Sequence, residues 1–171
     1  MDTNTFILIL VVAILITGSV VYIITSRMIS RNHPALKPVG TDSETRQLQL
    51  QAYERLLLLA ERISIPSLLQ RLHQPGITAK EMQLLLTQNI RSEFDYNLTQ
   101  QIYISANAWQ ILKNFKEQNI LIIHTVASLM QPGSSSTDLN KQVAEYLAAN
   151  GKLDLYENVT ELLTIEAKKL M

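Results

Sequence analysis

The chain has 171 residues, and its 15 Lys/Arg are matched by 15 Asp/Glu, so the formal net charge is +0 at pH 7. That balance argues against a nucleic-acid surface, which needs a basic face. Cysteine is absent, which excludes disulfides, thiolate metal sites, thiol catalysis and lipoprotein processing.

The first element is Phe6 to Thr25, FILILVVAILITGSVVYIIT, a run with no charge and no proline. A helix of this length rises about 30 Å, the hydrocarbon thickness of a bilayer, so a transmembrane helix is expected. A cleaved signal peptide is the competing reading. It needs a basic n-region, an apolar core of about 7–15 residues and a small-residue cleavage site. Here Met-Asp-Thr-Asn-Thr precedes the run and Thr25-Ser26-Arg27-Met28 follows it, which favours a retained anchor. Arg27, Arg31 and Lys37 come after the span while only Asp2 comes before it. Positive flanks stay cytoplasmic, so residues 1–5 are expected outside and the remainder inside. The same three side chains suit the membrane surface, against anionic headgroups. Ala13, Thr17 and Gly18 offer a small-residue face, which leaves a homo-oligomer open.

Residues 26–43 read as a linker, because Pro34 and Pro38 disfavour helix at the residues before them. From Glu44 onward 12 basic residues face 13 acidic ones, in a stretch long enough for one modest core. The pattern there predicts an all-α domain, a compact bundle of about five to six helices. No repeat of 20 to 50 residues and no sustained heptad is visible, which disfavours a solenoid or stalk.

Thr41 with Glu44 fits a capping box for a helix to about Ile63, with Tyr53, Leu56, Leu57, Ala60 and Ile63 at helical spacing. The run Leu56 to Leu59 predicts a helix covered on more than one side. Pro66 falls in the first turn of a short helix to about His73, which Gln74-Pro75-Gly76 ends. Thr78 and Glu81 predict a second capping box, with Ile77 stapled onto Met82. The helix that follows should run to about Ile102, although Phe94, Tyr96 and Leu98 alternate as a strand would. A lone strand has no partner, so helix is preferred.

Ser105, with Ile104 and Trp109 as its staple, starts a helix to about Met130. Its seam is Ala108, Leu112, Phe115, Ile122, Val126 and Leu129, with Asn119 on the same line, and Ile120 to Ile123 is apolar all round. Gln131 to Ser136 reads as a flexible connection. Asp138 is expected to cap a short helix that Asn150-Gly151 ends, and Asp154 with Glu157 to begin the last.

The inventory for chemistry is thin. His33 is in the linker, His73 adjoins a Pro-Gly turn, and His124 within LIIHTVASL is expected as a hydrogen-bonded, partly buried core residue. No His-x-x-x-His or His-Glu spacing suggests zinc. Glu93 and Asp95 fall on different helix faces and read as solvated carboxylates. Gly76, Gly133 and Gly151 are isolated, so a phosphate-binding loop is not expected. No nucleophile elbow surrounds Ser134 to Ser136. The chain is therefore expected to be no enzyme, with no cofactor, no metal and no catalytic residue.

One block concentrates aromatics and amides: Phe94, Tyr96, Asn97, Gln100, Gln101, Tyr103 and Trp109, the only Trp. Such residues anchor partner proteins, because they supply large area at low entropy cost. The alternative is a structural corner, in which Trp109 staples a helix start and the amides satisfy backbone groups. The run EFDYNLTQQIYISANAWQILKN, with the preceding span and the C-terminal ELLTIEAKKL, resembles an uncharacterised family of small single-span membrane proteins from Gram-negative bacteria. That resemblance implies a bacterial inner membrane and an all-helical domain, and carries no activity.

Three functions remain in view. The first is a membrane-anchored helical module that recruits or organises a protein partner at the cytoplasmic face. The second is a small accessory subunit that docks through its span, and the third a ligand-binding or enzymatic domain with a pocket around His124 and Trp109.

Overall fold

A computed structural model of the chain describes residues 43–151 and 154–171. The expected span 6–25, the Thr41 cap and the membrane-surface residues Arg27, Arg31 and Lys37 lie outside the described residues. No helix among those described is long and apolar enough to cross a membrane.

All regular structure among the described residues is helical. There are six α-helices: α1 (Ser43–Ile63), α2 (Ile65–Leu72), α3 (Ala79–Tyr96), α4 (Ala106–Ser128), α5 (Ser136–Ala149) and α6 (Asp154–Lys168), with a 3-10 turn at Leu98–Ile102 between α3 and α4. The expected all-α bundle is thus present. Its core draws on every helix, through Leu56, Leu68, Met82, Leu86, Ile123, Leu139 and Leu163.

Helix α1 packs on α2, α3, α4, α6 and the 3-10 turn. Tyr53 meets Glu166 and Glu61 meets Tyr156, so α1 and α6 run antiparallel. The break between α1 and α2 falls at the buried Ser64, whose hydroxyl donates to the Glu61 carbonyl. There the Asn119 side chain, reaching from α4, donates to the Ile63 carbonyl at 2.9 Å. A helix end leaves such carbonyls without intrahelical donors, and a buried one needs a partner from elsewhere.

The turns before α3 and α5 are paired. Gln131-Pro132-Gly133 repeats Gln74-Pro75-Gly76, at a separation beyond the repeat lengths considered from the sequence. Each is followed by a capping box, Thr78 with Glu81 and Ser135 with Asp138. Thr78 and Ser135 form an antiparallel bridge, in which the Ala79 amide donates to the Ser134 carbonyl at 2.8 Å and the Ser136 amide to the Ile77 carbonyl at 3.0 Å. The relation is two-fold: equivalent residues exchange equivalent bonds. Beyond the turns the side chains no longer match: Gln83 contacts His124, seven residues before its turn, whereas Asn140 contacts His73, one residue before the other. Gly76 and Gly133 both sit at φ +87°, a conformation that costs a residue with a Cβ and suits glycine.

Several sequence expectations are corrected. The α-helix that starts at Ala79 stops at Tyr96, and the stretch expected to continue it tightens into the 3-10 turn. Asn97 is the reason: its side chain donates to the Glu93 carbonyl and satisfies the helix end locally. Ser135, rather than Asp138, is the N-cap of α5, with Asp138 the reciprocating acid. Gln131 to Ser136 is a pinned turn, and Ser136 is fully buried with its hydroxyl on the Gln74 carbonyl at 2.8 Å. Leu129, expected on the inward seam, is exposed, as are Leu121 in the stretch that is apolar all round and Leu58 in the leucine run. A helix wide enough to touch several neighbours still keeps one face in water.

Candidate functional site

The aromatic and amide block is divided by the fold. Its inner half forms a corner. Phe94 at the end of α3 is buried, and its ring stacks on half-buried Trp109 of α4, with centroids 4.9 Å apart and planes tilted 33°. Lys116 lies over the Phe94 ring, its ammonium 4.5 Å from the ring centroid. Asn97 is buried and committed to the backbone. Tyr103 is half-buried, its amide donating to the Gln100 carbonyl, whereas Gln101 is exposed.

The outer half faces solvent. Tyr96 is 74% exposed and Ile102 72%, with Leu98 at 41% and, across on α1, Leu58 at 58%. Scattered exposed leucines need no explanation, but a Tyr and three aliphatic side chains near one helix end do. Tyr96 and Leu58 line a groove of about 420 Å3 between α1 and α3, together with Arg55, Leu59, Arg62, Ser92, Glu93 and Asn97. On α1 the lining recurs at i, i+3, i+4 and i+7, which makes it one stripe.

The electrostatics of the groove centre on Glu93. Arg62 forms an ion pair with its carboxylate, and Arg71 approaches the same oxygen at 3.8 Å from the end of α2. Arg71 also donates to the Arg62 carbonyl and to the Asn89 side chain. The pairing with Glu93 pushes the Arg62 guanidinium further up in pKa, by hydrogen bond first and by charge second. Arg55 lies over the exposed Tyr96 ring, 5.9 Å from its centroid. Glu93, read from sequence as a solvated carboxylate, is therefore a half-buried partner of two arginines. The signal that could have found it is the presence of Arg62, Arg71 and Glu93 at the ends of helices meant to pack together, but distance in sequence hid it.

A second polar cluster closes the other side of α1. Glu166 accepts from the Tyr53 hydroxyl at 2.7 Å and from the Ser105 hydroxyl, with Asn107 at 3.4 Å. Burial pushes the Glu166 carboxyl up, yet hydrogen bonds from Ser105, Tyr53 and Asn107 outweigh it and hold the group below the usual carboxylate range. Burial, then donation to Glu166, raises the Tyr53 hydroxyl. Tyr156 is pushed up to about 12, chiefly by its hydrogen bond to Glu61. Ser105 also receives the Ala108 amide as N-cap of α4, so this cluster fastens three helices.

His124 corrects a further expectation: it is hydrogen-bonded, to Gln83 at 2.6 Å, but exposed rather than part of the core. It sits near the opposite end of α4 from Trp109, about 22 Å along the helix, and Trp109 packs on Phe94. Among the described residues no group of three or more His, Cys, Asp or Glu side chains converges to hold a metal ion.

Residues 2–170 match the model of a family of unknown function, DUF7935. The chain belongs to that family. No curated protein matches it, and no solved structure does.

Proposed function

We propose that the protein is a membrane-anchored interaction module: residues 6–25 hold it in a bacterial inner membrane, and the helical body presents a docking surface on the cytoplasmic side. The observation that carries this reading is the outer half of the aromatic block, where Tyr96, Leu98 and Ile102 project into solvent beside an open groove. Aromatic anchors at the centre of a partly apolar patch are the usual source of binding energy in a protein interface. The anchor itself is argued from the apolar run and the basic residues that follow it.

Affinity isolation of the tagged full-length chain from solubilised membranes tests it. A specific protein partner is expected, recovered in smaller amount with Tyr96→Ala and Ile102→Ser. Repeated isolation of the chain alone, with no partner and no self-association, refutes the reading. Replacing residues 6–25 by an unrelated span should leave recovery intact, because the docking surface is placed on the body; loss of the partner on that swap would favour an accessory subunit that docks within the membrane.

A further inference from the structure

We infer that the groove between α1 and α3 receives an acidic amphipathic segment of a partner protein, its carboxylates against Arg55 and Arg62 and its apolar side chains over Leu58 and Tyr96. The inference rests on the interaction-module reading and adds the chemistry of the partner.

Charge carries the first step. Two guanidiniums, Arg55 and Arg62, line the groove against Glu93 as the one acidic lining residue; Glu93 is already paired with Arg62, so the lining keeps an excess of one positive charge, with Arg55 outside that ion pair. Neither Glu54 nor Asp95 is among the lining residues. This local surplus sits in a chain whose total charge is balanced, so it is a property of the site and not of the composition. A cationic groove favours an anionic occupant by attraction and rejects a cationic one by like-charge repulsion.

Shape and apolarity carry the second. Leu59 is buried at the floor, whereas Leu58 and Tyr96 stand exposed at the two lips. The stripe from Arg55 to Arg62 is about 10 Å long, two turns of helix, which matches two turns of an amphipathic helix laid alongside. A lipid surface is flat and would reach the lips but not the floor. The chain's own linker is also a poor occupant, because residues 26–42 carry Arg27, Arg31 and Lys37 against Asp42 alone.

The test uses the full chain in intact cells, with a photo-crosslinking residue at Leu58 and, in parallel, at Leu121 on the exposed face of α4. Both positions are exposed, so neither substitution disturbs the core. The expected product at Leu58 is a covalent link to another protein, mapped by mass spectrometry to a segment with a surplus of carboxylates and apolar residues at three- and four-residue spacing. Arg55→Glu should lower that yield about fivefold, and Arg55→Lys should retain most of it. Links to lipid alone, to a second copy of this chain, or to a segment without surplus acid overturn the inference, as does indifference to Arg55→Glu. A partner captured at Leu121 and not at Leu58 removes the groove while leaving the module reading standing. Silence at both positions removes both.

Discussion

Asn119 is the most instructive residue to perturb, because it is a buried polar side chain with one defined task. Its amide donates to the Ile63 carbonyl at 2.9 Å, across 56 positions of sequence, where α1 ends and α2 begins. Asn119→Ala leaves that carbonyl without the donor, which costs about 1–3 kcal/mol, and adds a small void; the sum is expected near 2–3 kcal/mol. Asn119→Leu restores volume but not the bond, and should cost about 1–2 kcal/mol. Asn119→Asp faces one acceptor with another. Burial raises the folded-state pKa of the new carboxyl above its unfolded value of about 3.9, so the folded state binds the proton more tightly. Stability of this variant must then fall as pH rises from the unfolded towards the folded pKa, opposite to an ordinary paired carboxylate. Urea unfolding of residues 43–171, followed by far-ultraviolet circular dichroism between about pH 4 and 7, measures all three. If Asn119→Ala unfolds within about 0.5 kcal/mol of the parent, or the Asp variant shares the parent's pH profile, the claim that this bond joins α4 to the α1–α2 break is wrong.

Glu166→Gln should weaken the junction of α1, α4 and α6 by about 1 kcal/mol, since the neutral amide accepts less strongly from Tyr53 and Ser105. The parent's carboxyl is depressed in the folded state, so its contribution is present above the unfolded pKa and is lost as pH falls through the folded one; the Gln variant should lack that acid-side component in pH-dependent thermal melts. Leu56→Ala and Leu58→Ala separate two neighbours in the leucine run: the first, fully buried, should cost about 2–5 kcal/mol, and the second, exposed, less than about 0.5 kcal/mol, by chemical denaturation. Ser136→Ala removes the hydroxyl that holds the Gln74 carbonyl and should cost about 1 kcal/mol, with faster exchange of the backbone amides at positions 79 and 136 if the paired turns loosen together.

Local signals were legible wherever a short segment contains both partners of an interaction. Thr78 and Glu81 lie three residues apart, and the capping box they predict is present, with the Thr78 amide on Glu81 at 2.8 Å. Ser105 likewise caps α4. At Ser135 the same three-residue spacing to an acid is present, and the parallel between Gln74–Glu81 and Gln131–Asp138 marks Ser135 as the cap, whereas Asp138 alone also fits an N-cap and its serine-rich surroundings fit a solvated turn. The aromatic block was legible as a place but not as two faces. Phe94 and Tyr96 are two residues apart on a helix, about 200° around it, and only the position of α4 decides which one meets Trp109.

What the sequence determined by itself is whatever depends on neighbours along the chain: six helix starts to within a few residues and the stops of all but α3, the glycines at the paired turns, and the apolar run at 6–25 that argues for an anchor. Tertiary structure decided the rest. It exposed Leu58, Leu121 and Leu129, buried Asn119 and Ser136, gave Glu93 to two arginines, and opened a cationic groove at Tyr96. The physical reason is one of range: caps and helical periodicity are set by bonds three or four residues apart, whereas burial and charge pairing depend on which helix faces meet, and that depends on the packing of the whole bundle.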